Sequence, residues 1–333
     1  MTEHNWDMGR IMELATGYWK SAVLSAGVKL GCFDALADGP ATAAQLAEVC
    51  DASERHLAEV LDALTALTLL EKSENTYRIA QGADALLNRN SPTCLLDALR
   101  FNTDLYPLWG QLPESVQAGK SVIPSGAHLG ADPARTRRFV MGMHSRALSI
   151  APAFLSALDP GAGRTLLDVA SGPGTVSRML AEQCSDLEIT QFDLPDVLAI
   201  ARELTDGHPA AERVHFHPGD YHKDSLPDAF DLALLCGAVH QEDEQDALAL
   251  FIKIREALKP GGAFWIVDMM LEPDRSGPLF SNLFSINMML TSPKGRVFSA
   301  KTLEGLLTEA GFRDITLQQP TRSPYWILKG IRP

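Results

Sequence analysis

The sequence predicts an α/β protein in two parts: a mostly helical N-terminal domain, residues 1–95, and a C-terminal domain, residues 96–333, built on a doubly wound parallel sheet. Two observations lead to this prediction. From Thr165 onwards, short apolar runs alternate with helical segments, an order typical of a parallel sheet with helices on both faces. The first third of the chain is instead rich in alanine and leucine at helical spacing.

The N-terminal domain is predicted to contain helices followed by a hairpin. Helices are expected over residues 11–30, over residues 42–49 with Thr42 as N-cap, and from Ser53 onwards. Residues 69–72 and 77–79 flank a polar turn and indicate the hairpin. Helix, helix and hairpin is the order of a winged helix. Arg55 is the only lysine or arginine between residues 42 and 70, so packing or dimerisation is a better interpretation than DNA binding.

The composition indicates which binding partners and which cellular compartment to expect. Lysine and arginine number 29 against 42 aspartates and glutamates, which gives a net charge of −13. Such an acidic chain is unsuited to nucleic acid phosphates or anionic membranes. The apolar runs are too short to span a bilayer, and the N-terminal residues do not resemble a signal peptide. The five cysteines are scattered without a CxxC pair, as expected for reduced thiols in the cytoplasm.

The helices between the two parts are expected to be interrupted by proline. Residues 95–158 read as helices with breaks at the following positions: Pro107, Pro113, Pro124 and Pro133. Beyond them, five buried strands are predicted at residues 166–169, 187–192, 214–217, 231–239 and 263–267. A helix over residues 243–258 precedes the last strand and ends at a Lys-Pro-Gly-Gly stop signal.

Polar residues follow the first three of these strands. The first strand ends in Asp168-Val-Ala-Ser-Gly172-Pro-Gly174, a glycine-rich turn before a helix. Glycines let the backbone approach a ligand, and an acid at Asp193 would accept hydrogen bonds from ribose hydroxyls. With Asp220 after the third strand, three acids are expected at one sheet edge, where open α/β sheets bind ligands. Helix capping by the three acids is the structural alternative.

A histidine and an acid follow the next two strands. His240 comes directly after the fourth strand and Asp268 closes the fifth, so neighbouring strands would bring both side chains to the same edge. A carboxylate beside an imidazole fixes its tautomer and suits it to act as a general base on a hydroxyl. The alternative is a strand-end histidine without a chemical role.

Three further histidines could form a metal site, although the signal is weak. His215, His217 and His222 lie close in sequence, but an HxH pattern alone lacks an obvious further ligand, so no metal is expected.

Several segments together resemble a known family. Four segments are similar to the successive motifs of class I S-adenosylmethionine-dependent methyltransferases: LLDVASGPGT, QFDLPDV, PGDYH and EALKPGGAFWIVD. Together with the N-terminal winged helix and MGMHS, they resemble the homodimeric small-molecule O-methyltransferases of the caffeate and acetylserotonin type. The resemblance implies a Rossmann-like catalytic domain and S-adenosylmethionine as cofactor. It places Gly172 at the methionine part of the cofactor and Asp193 at its ribose. Three residues would flank the adenine: Leu194, Asp220 and Tyr221. Cys236 occupies a cofactor-contact position that is often basic in the family.

The resemblance also implies the chemistry and the assembly. His240 would be the general base, oriented by Asp268, and Met143, His144 and Met288 would line the pocket of a small aromatic substrate. The winged-helix domain would form a homodimer by chain exchange. The sequence departs from the family pattern at three positions, which are Gln241, Glu242 and Val297. These departures leave open C- or N-methylation, a non-methylating reaction, or a catalytically silent cofactor-binding dimer. A dehydrogenase using NAD is disfavoured because Ser177 replaces the third glycine of GxGxxG.

Overall fold

The computed structural model describes residues 6–123, 132–321 and 323–333, and these form two compact units, Met1–Tyr106 and Pro107–Pro333. The elements that begin in the first unit are the following: α1 Met8–Thr16, α2 Tyr18–Lys29, α3 Cys32–Leu36, β1 Ala41–Thr42, α4 Ala43–Val49, α5 Glu54–Ala66, β2 Leu70–Ser73, β3 Thr76–Ile79, α6 Gln81–Leu87 and α7 Leu96–Trp109. Three antiparallel strands in the order β1-β3-β2 complete the predicted helix–helix–hairpin arrangement. The predicted winged-helix order is therefore confirmed.

The helix ends of the first unit show where local chemistry decides the fold. Thr42 caps α4 with a full capping box, in which its hydroxyl accepts the Gln45 N–H and the Gln45 side chain accepts the Thr42 N–H. The prediction of one helix over residues 11–30 is wrong, because α1 and α2 meet at Gly17. The Gly17 N–H bonds to the Leu14 carbonyl, a tighter turn than the α-helix makes, and glycine has a low helix propensity.

The second unit contains the large sheet. Its elements are the following: α8 Leu112–Ala118, α9 Pro133–Ile150, β4 Thr165–Val169, α10 Thr175–Gln183, β5 Glu188–Asp193, α11 Pro195–Thr205, β6 Val214–Pro218, β7 Phe230–Cys236, α12 Glu244–Ala257, β8 Leu258–Met269, α13 Leu279–Thr291, α14 Ala300–Glu309, β9 Arg313–Gln318 and β10 Tyr325–Ile331, with short 3₁₀ turns at Ala151–Ala153, Leu155–Ala157, Ala211–Arg213 and Val239–Gln241. The strand order is β6-β5-β4-β7-β8-β10-β9. The first five strands are parallel and β10 is antiparallel to both of its neighbours.

The predicted helix breaks at the four prolines have different outcomes. Pro113 and Pro133 lie in the first turns of α8 and α9, where the missing N–H costs no helical hydrogen bond. Pro107 does not break a helix, because it lies within α7 and the helix ends two residues later. The interruption removes one hydrogen bond in the last turn and no more. The predicted break at Pro124 lies outside the described residues.

The parallel strands are buried on both faces, as their apolar runs predict. Leu167 and Val169 of β4 enter one apolar cluster, and Leu166 enters another on the opposite face. β9 and β10 were not expected from the sequence. Their signals are the alternating Ile315 and Leu317 in β9 and the apolar run that opens β10. Among the described residues, no helix has the length and apolar character needed to cross a membrane.

The strand order creates one crevice at the carboxyl edge of the sheet. The chain runs from β4 outward to β5 and β6, then returns to place β7 on the other side of β4. The connections after β4 and β7 therefore diverge to opposite sides of the sheet. Such a switch point is where open α/β sheets bind their ligands.

Replacing Gly174 with alanine is expected to lower the free energy of unfolding by about 3 kcal/mol, combining left-handed backbone strain with overpacking. Gly174 lies at φ +64°, and a Cβ there would overlap the buried side chain of Gln191. The Gln191 amide cannot move away freely because it donates to the Gly174 carbonyl and to Ser177 Oγ. Chemical denaturation of the ligand-free protein measures the loss.

The matched control for this variant is Gly172→Ala. Gly172 has a similar φ of +54°, but a Cβ there would meet no atom within 4 Å. Only the backbone cost of about 1–2 kcal/mol is then expected. Equal losses for the two variants would contradict the steric explanation.

Candidate active site

The glycine turn after β4 is tied to the end of β5. The Gly172 N–H donates to Asp193 Oδ2 at 2.7 Å, and the Leu194 N–H donates to Asp193 Oδ1 at 2.7 Å. Ala170, Gly172 and Gly174 all have positive φ, which curls the backbone between β4 and α10. One carboxylate therefore sets the shape of the turn and remains at its rim with further lone pairs available.

The turn is acidic and desolvated. The pKa of Asp168 is raised to about 7, mainly by burial; the hydrogen bond with Ser177 acts in the opposite direction and the neighbouring Asp193 carboxylate in the same one. Burial also raises the pKa of Asp193 to about 6, although the Gly172 and Leu194 N–H groups work in the opposite direction. Beneath the turn, buried Arg178 donates to the Pro173 carbonyl at 2.6 Å. This edge of the sheet consequently favours ligands that carry hydroxyl donors or positive charge.

Asp220 and Tyr221 follow β6, whose carboxyl end lies beside the ends of β4 and β5. Asp220 accepts the His222 N–H and pairs with Lys223 at 2.7 Å, and these contacts lower its pKa against the effect of burial. The Tyr221 hydroxyl donates to Glu242 Oε1 at 2.5 Å. Glu242 is buried, and burial raises its pKa. The Glu242 carboxylate thus holds Tyr221 against the sheet edge.

His240 and Asp268 meet across the ends of β7 and β8. His240 Nδ1 lies 2.8 Å from Asp268 Oδ1 and 3.0 Å from Oδ2. The Arg296 N–H donates to the His240 carbonyl at 2.8 Å, which fixes the backbone. His240 is 7% exposed and Asp268 is fully buried. Within the described part of the chain, His240 Nε2 has no hydrogen-bond partner.

Aromatic and cationic side chains surround this pair. The ring of Phe284 stands edge-on to His240 with centroids 5.0 Å apart, and Phe280 stacks beyond it at 6.3 Å. The guanidinium of Arg146 lies 5.6 Å from the Phe284 ring and 5.8 Å from the Tyr325 ring. The surroundings of His240 are therefore largely apolar, with one cation across the Phe284 ring.

The remaining predicted site residues occupy several positions around the edge. Met143 is half-buried on α9, one helical turn from Arg146, and Met288 is buried on α13, one turn from Phe284. His144 Nδ1 lies 2.8 Å from Thr175 Oγ1, at the start of α10. Cys236 ends β7, where burial and then the Asp168 and Asp268 carboxylates raise its pKa well above the usual value. That thiol is therefore neutral and does not replace the basic residue of the family pattern.

The sequence did not single out Phe284, Phe280 or Arg146. Helical spacing could have identified two of them, because residues three or four positions apart share a helix face. Arg146 follows Met143 by three positions, and Phe284 precedes Met288 by four. Val297, at a position where the family pattern has an orienting glutamate, is fully buried among apolar residues. Among the described residues, Asp268 is the one carboxylate bonded to His240.

The three histidines considered for a metal do not gather. His215 pairs with Glu188 at 3.0 Å and His217 stacks on Phe192. His222 instead approaches Glu242 and Asp246, whose ligand atoms all lie within 4.8 Å of one another. Asp246 is ion-paired with Lys294 and Glu242 accepts from Tyr221, so both carboxylates already have partners.

Fold and site define a class of protein. The parallel sheet has a glycine turn at its switch point, an acid at the next strand end and a buried histidine–carboxylate pair at the same edge. This is the arrangement of an α/β protein that binds a nucleotide-type ligand at that edge.

Two family models match the chain: an O-methyltransferase domain over residues 109–313 and an O-methyltransferase dimerisation domain over residues 12–89. The chain belongs to the O-methyltransferase family. The expected class of enzyme, an S-adenosylmethionine-dependent O-methyltransferase with an N-terminal dimerisation domain and a Rossmann-like catalytic domain, is confirmed.

Relatives are similar over nearly the whole chain. The tetracenomycin polyketide synthesis 8-O-methyl transferase TcmO of Streptomyces glaucescens is 32% identical, with 92% of each chain covered. Acetylserotonin O-methyltransferase of Mus musculus is also 32% identical, covering 98% of this chain and 89% of its own. Human N-acetylserotonin methyltransferase in complex with SAM superposes with a TM-score of 0.88 at 26% identity, covering 100% and 99% of the two chains. PigF with SAH gives 0.86 at 25% identity, covering 98% and 100%.

Proposed function

We propose that this enzyme methylates a hydroxyl group of a small aromatic molecule, with His240 as the general base and Asp268 as its orienting partner. The observation that carries the proposal is the buried His240–Asp268 pair, whose Nδ1 is bonded and whose Nε2 is free of protein partners in the described part of the chain. A small aromatic acceptor is supported by the Phe284 ring beside the imidazole and by the names of the two relatives.

The residues at the glycine turn fit S-adenosylmethionine. Ser171 Oγ is shielded from solvent and has no hydrogen-bond partner among the described residues, so it is available to a ligand. Gly172 borders open space, and Asp193 has acceptor capacity left for ribose hydroxyls. Leu194, Asp220 and Tyr221 would hold the adenine, with Gly174, Asp168 and Cys236 completing the rim. The bound cofactor supplies a methyl group activated by a sulfonium cation, a charge that this acidic rim accommodates.

Proton removal follows from the geometry of the pair. The Asp268 carboxylate accepts from Nδ1–H, which keeps the proton on that nitrogen and leaves Nε2 as the acceptor. Nε2 would take the proton of an acceptor hydroxyl, and Asp268 would stabilise the imidazolium that forms. A phenol needs such a base near neutral pH because its pKa is about 10. Met143, His144 and Met288 would shape the pocket around the acceptor.

Titration with S-adenosylmethionine, S-adenosylhomocysteine and NAD in parallel tests the cofactor. We expect binding of the first two alone. Incubation with labelled S-adenosylmethionine and a panel of phenols, naphthols, amines and carbon nucleophiles then identifies the atom methylated. Products methylated at nitrogen or carbon alone would reject the hydroxyl acceptor, and binding without any turnover would favour the silent cofactor-binding protein.

The enzyme is further proposed to be a cytoplasmic homodimer. No residue of α1 is buried within a single chain, and the exposed apolar side chains of the N-terminal residues are the following: Trp6, Met8, Ile11, Met12, Leu14, Tyr18 and Trp19. A surface of this kind needs a partner to cover it. The matched dimerisation domain includes most of it. All five cysteines are free thiols, as expected in a reducing compartment. Light scattering should give twice the chain mass, and a monomer would contradict the assembly.

A further inference from the structure

Arg146 is a cation in an apolar setting. It is half-buried on α9, and its guanidinium lies near the rings of Phe284 and Tyr325. Its guanidinium donates a hydrogen bond to Met269 Sδ, which lies 4.0 Å from Nη2. Among the described residues, it has no carboxylate partner and no oxygen acceptor. A partly desolvated guanidinium in this state retains unused hydrogen-bond donors and unbalanced charge.

Other arginines in the second unit differ from Arg146 in having polar partners or in being exposed to solvent. Arg137 pairs with Glu203 at 2.8 Å, and buried Arg178 donates to two oxygens. Arg202 also lies over an aromatic ring, that of Phe216, but it is exposed to solvent. Since cations that lose water are normally paired, the environment of Arg146 indicates an anionic partner that is not part of the chain.

The position of Arg146 relates that partner to the reaction. Arg146 and His240 both contact the ring of Phe284, the first at 5.6 Å and the second at 5.0 Å. A molecule whose hydroxyl reaches His240 would thus have its other end near Arg146 if it spans about one aromatic ring. Planar guanidinium groups bind carboxylates through two parallel hydrogen bonds, which fixes orientation as well as charge.

We propose that Arg146 is a specificity-determining residue that binds a carboxylate on the aromatic acceptor, so that the natural substrate is a hydroxylated aromatic acid. This inference rests on the proposed function, because it names the acceptor class of the same site. A carboxylate at Arg146 and a hydroxyl at His240 would set which hydroxyl of a polyhydroxylated ring system is methylated.

Paired probes test the proposal by binding. The acids are 4-hydroxybenzoic acid and 6-hydroxy-2-naphthoic acid, which separate hydroxyl and carboxylate by one ring and by two. Each is compared with its neutral carboxamide by calorimetric titration, with and without S-adenosylhomocysteine. We expect at least one acid to bind about tenfold or more tightly than its amide, as charge-assisted hydrogen bonds predict.

Variants assign the preference to the residue. Arg146→Gln should abolish the preference for the acid and Arg146→Lys should retain part of it. Arg202→Gln, which removes another guanidinium from an aromatic ring at the far end of α11, should leave it unchanged. Equal acid-to-amide ratios in the wild type and Arg146→Gln would overturn the proposal, as would the absence of binding by both acids. Methylation of neutral phenols without any preference for acids would reject the role of Arg146 but leave the proposed methyltransferase function in place. Failure to bind S-adenosylhomocysteine would reject the proposed function, while the titrations without it still report on Arg146.

Discussion

His240→Ala is expected to lower kcat by about a thousandfold, the usual contribution of a positioned general base. The affinity for S-adenosylhomocysteine should change little, since His240 is bonded to Asp268 and takes no part in the glycine turn, which is bonded to Asp193. Steady-state methylation of a phenol and calorimetric titration of the variant measure the two quantities. Unchanged turnover would rule out the base role.

The chemistry of the acceptor separates loss of a base from loss of structure. A nitrophenol that is already ionised at neutral pH needs no base, so its methylation should be affected much less by His240→Ala. Residual activity toward an ordinary phenol should rise with pH toward the phenol pKa of about 10. His215→Ala is the matched control, because His215 is exposed on β6 and its ring pairs with Glu188, away from the site. A similar loss toward both acceptors would point to a damaged fold instead.

Asp193→Ala is expected to weaken S-adenosylhomocysteine binding by about 100-fold or more. The substitution removes the carboxylate proposed to accept from the ribose and leaves the Gly172 and Leu194 N–H groups without their present acceptor. Hydrogen bonds to a charged group contribute about 1.5–3 kcal/mol, and two decades of affinity correspond to about 2.7 kcal/mol. Calorimetry reports the affinity directly.

Thermal unfolding provides an independent measurement. Saturating S-adenosylhomocysteine should raise the Tm of the wild type by mass action and leave that of Asp193→Ala nearly unchanged. Asp186→Ala alters an exposed acid in the turn that precedes β5 and should behave as the wild type. An Asp193→Ala protein that binds normally would mean that the carboxylate serves only to shape the turn.

The sequence is most informative where a residue follows a strand directly. Asp193, His240 and Asp268 are expected at one edge because the carboxyl ends of parallel strands lie together, and they do lie at that edge. The prediction of a single helix over residues 11–30 is wrong because Gly17, with its low helix propensity, separates α1 from α2. The positions of Arg146 and Phe284 at the site could not be predicted, since both lie on helices whose packing against the sheet depends on loops that no local sequence pattern determines.

The two parts of the candidate site, the His240–Asp268 pair and the aromatic side chains of α13, differ in how deeply they are buried, and this difference matters for engineering. His240 lies in the 3₁₀ turn that follows the central strand β7 and is bonded to Asp268 near the end of β8, whereas Phe280 lies on α13 and is 47% exposed. Substitutions at Phe280 would therefore remove little core packing and leave the bond between His240 and Asp268 in place. New acceptors could then be explored with a small library at Phe280, whereas exchange of the whole of α13 would disturb its buried residues, which are Ser281, Met288, Leu290 and Thr291.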